Sequence, residues 1–72
     1  MNRQPSERIW LAMKRMATTE KGDISVKQAA DRVRAIAVKE GGGSLPDRAL
    51  RFYAAEYVAM VEYEHRRTKL GP

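Results

Sequence analysis

The sequence predicts an all-α fold: a small domain of three helices whose last and longest runs from Ser44 to Arg67. Three observations carry that expectation. Apolar residues recur at helical spacing in three separate segments, and each segment has a capping residue at its start. No stretch alternates with the period of a strand, and there are no internal repeats. The 72 residues make one domain, with residues 1–5 as a short flexible arm and 68–72 as a basic tail.

In the first segment Ser6 is the expected cap, with Glu7 in the first turn and a helix to about Thr19. Ile9, Ala12, Met13, Met16 and Ala17 share one face, and Trp10 is expected in the core with its indole N–H at the margin. Arg8, Lys14, Arg15 and Thr18 form the reverse side. Leu11 lies among these polar residues, out of place for a monomer. Gly22 supplies the stop.

The second start is the best marked. Ser25 and Gln28 fit a reciprocal capping box, with Ile24 and Ala29 in the staple positions on either side of the cap. The helix is expected to reach Glu40, burying Val26, Ala29, Ala30, Val33, Ile36 and Ala37. Its solvent side carries Lys27, Asp31, Arg32, Arg34 and Lys39. Gly41-Gly42-Gly43 then reads as a hinge, because neither a preceding strand nor a phosphate-loop spacing accompanies it.

The third segment opens with Ser44 as cap, Pro46 in the first turn and Asp47 at the positive end of the helix dipole. Leu50, Ala54, Tyr57, Val58 and Val61 fall on one face at about 100° per residue, with Tyr53 and Met60 at its edge. Phe52, Ala59 and Tyr63, with Ala55 beside them, lie nearly opposite. One partner layer needs only one apolar stripe. The second stripe predicts an intermolecular surface, unless the N-terminal arm covers Phe52 and Tyr63 or the two rings stand singly in solvent. His65, Arg66 and Arg67 suit the negative end of the helix.

A core this small supplies only about 3–5 kcal/mol of net stability. With no cysteine and one histidine, neither a disulfide framework nor a structural zinc site is expected. Oligomerisation is the remaining common reinforcement, which agrees with the second stripe. No apolar run approaches a membrane span, and the N-terminus lacks the hydrophobic region of a signal peptide. Those features and the absent cysteines point to the cytoplasm.

No arrangement of nucleophile, base and orienting acid is discernible, and Glu56, Glu62 and Glu64 fit solvated helix positions. The expectation is therefore no enzyme, no cofactor and no metal. Fourteen basic residues against nine acidic ones give a formal charge of +5, which makes an anionic partner plausible. The segment L-P-D-R-A-L-R-F-Y loosely resembles the second helix of MerR-type DNA-binding regulators. That resemblance would turn Asp47, Arg48 and Arg51 toward a major groove, as part of a helix-turn-helix variant. The chain departs from that pattern in two places, for its second helix runs on past Arg34 and no wing follows the third.

Two functions are expected from these features. The first is a basic regulator or accessory factor binding DNA as a homodimer. Arg48 and Arg51 would read bases, while Arg8, Lys14, Lys27, Arg32, Arg34, Arg66, Arg67 and Lys69 meet phosphates. The second is a helical regulator of antiactivator or antitoxin type, sequestering a protein through Leu11, Phe52, Ala55, Ala59 and Tyr63.

Overall fold

The computed structural model describes residues 5–41 and 43–70, with side chains described for 7–41 and 43–67. Within them lie three α-helices: α1 Pro5–Ala17, α2 Val26–Ile36 and α3 Asp47–Leu70. No strand occurs among the described residues. The all-α, three-helix expectation holds, and its long C-terminal helix is the longest element at 24 residues.

The helices differ from expectation at their ends, each time for a local reason. The backbone of α1 begins at Pro5, so Ser6 lies inside the helix; residues 1–4 lie outside the described residues. Proline is tolerated there because a first-turn N–H has no helical partner. α1 also stops at Ala17, short of Thr19 and well short of Gly22. Thr18 and Thr19 donate their hydroxyls to the carbonyls of Arg15 and Met16, both at 2.7 Å, and the Thr19 N–H closes on Met16 at 2.9 Å. These bonds satisfy carbonyls that a longer helix would use, so the chain turns without glycine.

α2 starts as its sequence dictates. The Gln28 N–H donates to Ser25 Oγ at 3.1 Å, and the Ser25 N–H donates to Gln28 Oε1 at 2.9 Å. Ile24 packs against the core and Ala29 is buried within it, as a staple requires. At the other end the helix passes into a π-helical turn over Ala37–Gly41, with Ala37 buried. The helical path thus reaches Gly41, one residue beyond Glu40, with a wider last turn.

Ser44 is not the cap of α3. Pro46 holds the preceding residue out of helical geometry. The first helical bond therefore runs from the Leu50 N–H to the Pro46 carbonyl at 2.9 Å. Leu45 and Leu50 occupy the two staple positions around that start, and both join the core. The backbone stays helical to Leu70 where a fraying tail was expected from residue 68.

Among the described residues, eleven are buried and form one core: Ile9, Met13 and Ala17 from α1, Ala29, Val33, Ile36 and Ala37 around α2, and Leu50, Ala54, Tyr57 and Val61 from α3. Val58, Tyr53 and Met60 pack at its edge as their positions on α3 predict. Two expected core residues stand out in solvent instead. Val26, in the first turn of α2, is exposed at a groove facing α3, and Trp10 is 39% exposed at a groove between α1 and α3. α2 and α3 run antiparallel: Asp23, just before α2, meets His65 near the end of α3, whereas Arg34 lines a groove with Arg51. The particle is flattened, with Cα extents of 37 × 30 × 15 Å. One thin layer of helices leaves much of α3 facing solvent.

Candidate functional site

Three features stand out on this frame: a basic groove between α2 and α3, an apolar face along α3, and a polar hub at the first connection. The basic groove follows from the antiparallel pairing. Val26, Ala30 and Arg34 of α2 face Asp47, Leu50, Arg51 and Ala54 of α3 across about 260 Å³, so one carboxylate sits with the two guanidinium groups. Small side chains on both walls let the helices come close, which draws Arg34 and Arg51 to one rim. Arg48 lies one turn before Arg51 and is also exposed. Arg34 donates to Asp31 at 3.0 Å, but both side chains are about 60% exposed, so water screens the pair and the guanidinium stays accessible.

The other basic residues do not all gather there. Arg32 turns inward and donates from Nε to Glu20 at 3.0 Å, so its first role is structural. Lys27 is exposed at the start of α2, about two turns before Arg34. Arg66 and Arg67 are exposed at the far end of α3, about 22 Å along the helix from Arg51. The side chain of Lys69 lies outside the described residues.

The apolar face is open. Phe52 and Tyr63 are 60% and 61% exposed, and Ala55 and Ala59 between them are exposed as well. The Phe52 ring meets only the edge of its neighbour Tyr53, at 5.7 Å between centroids. Beside this stripe Trp10, Lys14, Glu56, Ala59, Met60 and Tyr63 line a groove of about 470 Å³ between α1 and α3. Lys14 Nζ sits 5.0 Å from the Trp10 ring centre, and this cation–π contact is what covers the indole in place of core packing. Leu11 is half-buried and does not line this groove.

The polar hub was not legible in the sequence. Glu20, in the connection after α1, keeps only 11% of its side chain exposed. Its Oε2 accepts from the Tyr57 hydroxyl at 2.6 Å and from Arg32 Nε at 3.0 Å. Its backbone carbonyl lies 3.2 Å from His65 Nε2, and His65 Nδ1 lies 2.9 Å from Asp23 Oδ1. His65 is therefore docked onto the first connection, not held in an exposed terminus by the helix dipole alone. A neutral imidazole can donate to one of these oxygens; an imidazolium can donate to both. Among the described residues no group of three metal-ligating side chains forms, and no helix is long and apolar enough to cross a membrane.

The hub makes stability depend on pH from both sides. The Tyr57 hydroxyl, followed by the Arg32 guanidinium, holds the Glu20 carboxyl below its ordinary 4.5 against the opposing effect of burial. Burial first, and then the Glu20 carboxylate, push the Tyr57 hydroxyl well above its ordinary 10.0. A depressed carboxyl adds stability that is complete above its unfolded pKa and is lost as pH falls through the lowered folded value. A raised phenol adds stability that is complete below its unfolded pKa and fades as pH climbs beyond it. Thermal melts followed by circular dichroism should therefore show an acid-side fall that Glu20→Gln reduces. They should also show an alkaline fall, starting near pH 10, that Tyr57→Phe removes. Identical pH profiles for all three proteins would break this assignment.

No protein-family model, curated protein or solved structure matches this chain.

Proposed function

We propose that this chain is a small basic regulator that binds DNA as a homodimer. The observation that carries the reading is the groove rim shared by Arg34 and Arg51, beside the Asp47 carboxylate and with Arg48 exposed one turn before Arg51, where two helices bring guanidinium groups to one edge of the molecule. Arginine forks bind phosphate oxygens and the guanine edge in two-pronged fashion. The early turns of α3 also have the length and exposure to enter a groove 12 Å wide, the approximate width of the major groove of B-DNA. Lys27, Arg66 and Arg67 extend the positive field along the same two helices, and their role is to meet phosphates.

The direct test is a mobility-shift titration with duplex DNA at several salt concentrations. Neutralising about four to six phosphates should make the logarithm of affinity fall with the logarithm of salt at a slope near −4 to −5. Binding that ignores salt, or no binding at low salt, removes the reading.

A second reading rests on a different observation, the open groove beside Trp10 and Tyr63. A groove of that shape accepts an amphipathic helix, so the chain could sequester a protein instead. Its signature is a stoichiometric protein partner that survives nuclease treatment.

A further inference from the structure

We infer that the open face of α3 pairs with the same face of a second copy, antiparallel, with Phe52 packed on the partner's Tyr63. This deepens the dimer of the preceding reading and rests on it only for the expectation that two copies associate.

The argument starts from spacing. Phe52, Glu56, Ala59 and Tyr63 follow one another at intervals of four, three and four residues. At about 100° per residue these positions form one straight stripe, and the intervals read the same from either end. A two-fold axis midway between Tyr57 and Val58 therefore places Phe52 opposite the partner's Tyr63 and Ala59 opposite the partner's Glu56. A stripe that matches itself on reversal is what an isologous contact requires. Ala55 and Ala59 near the centre let the helices approach to roughly 8 Å, and the rings at the ends fill the flanking space.

Charge agrees with this register. Arg51 and Glu62 lie on one flank of the stripe, and neither has an ion pair among the described residues. In the antiparallel pair the levels of Arg51 and the partner's Glu62 differ by only about 3 Å along the axis. Glu56 sits close to the axis, where two carboxylates would approach each other, and Lys14 shares its groove to offset them. A parallel pairing would set Arg48 on Arg48 and Arg66 on Arg66, with no acid opposite Arg51.

The same register makes a composite anion site. Each end of the dimer brings Arg48 of one chain beside the partner's Arg66, a pair of like charges that attracts phosphate, while Arg51 faces the partner's Glu62. The two pairs lie roughly 27 Å apart along α3, shorter than the about 34 Å between half-sites on one face of DNA, so a duplex bound at both would have to bend toward the dimer.

The chain contains no cysteine, so a disulfide can be placed at will. Phe52→Cys and Tyr63→Cys are made separately, mixed and oxidised at about 50 µM. The mixture should yield a covalent dimer of twice 8.2 kDa joining one of each. Either variant alone should not, because its two sulfur-bearing positions would be about 16 Å apart along the axis, beyond the reach of about 7 Å between Cα atoms. Ala59→Arg, at an exposed position, should keep the helical circular dichroism and sediment as a monomer. A self-linked Phe52→Cys dimer, no mixed disulfide, or an Ala59→Arg variant that still dimerises overturns the pairing. DNA binding without the mixed disulfide sinks this register and leaves the DNA reading standing. A mixed disulfide in a protein that ignores DNA does the reverse.

Discussion

Glu20→Ala is expected to lower the unfolding free energy by about 3 kcal/mol, with a fall of roughly 15–20 °C in Tm for a domain of this size. The reason lies in what the carboxylate leaves behind. The Tyr57 hydroxyl donates to it over 2.6 Å, and the Tyr57 side chain is fully buried. A buried donor without an acceptor costs about 1–3 kcal/mol, and the lost charge-assisted bond from Arg32 adds to that. Against the about 3–5 kcal/mol that so small a core supplies, the variant should keep only about 0–2 kcal/mol and show a substantial unfolded population at 37 °C. Glu20→Gln retains an acceptor for the hydroxyl and should cost only about 1 kcal/mol. Denaturant titrations of both variants, with Tyr57→Phe and the double variant to close a cycle, measure the coupling. Alanine and glutamine variants of equal stability would show that the hydroxyl finds another partner.

The second large effect concerns recognition. Arg48→Ser combined with Arg51→Ser should weaken duplex binding at least about 30-fold, since each two-pronged arginine contact contributes about 1–3 kcal/mol. The slope against salt should also become shallower, by about one for each lost phosphate contact. Both residues are exposed, so the fold should persist, which circular dichroism checks. Lys27→Ser is the matched control, expected to cost far less. Full affinity in the double variant would move recognition away from the start of α3.

The helices were largely legible in the sequence because the information is local. The Ser25–Gln28 box involves neighbours three residues apart, and the pattern Leu50, Ala54, Tyr57, Val61 follows directly from the helical period. Helix ends were less legible where two local signals competed. Ser44 has the chemistry of a cap, but Pro46 controls where the helix can begin, and the Thr18 and Thr19 hydroxyls end α1 before Gly22 is reached. Trp10 was misplaced for a different reason. Its position at the margin of a helix face leaves its burial to whichever neighbour is nearest, and here that neighbour is Lys14.

The hub was illegible because its bonds cross the chain. Nothing near Glu20 in sequence marks it as the acceptor for Tyr57, and a lone acid in a polar connection resembles any solvated one. Val26 differs in the same way: it looks apolar and helical, and only the thinness of the molecule leaves it uncovered, whereas Phe52 is exposed on the stripe set apart from the core.

The bonds from Tyr57 and His65 to the first connection span 37, 42 and 45 residues. During synthesis those partners leave the ribosome well after Glu20 and Asp23. A nascent chain can form α1 and α2 early, yet the Glu20 carboxylate has no hydroxyl to receive until α3 has emerged. The native packing is then acquired only once α3 has emerged, so a chain truncated before Tyr57 should give a protease-sensitive product, not a smaller stable domain.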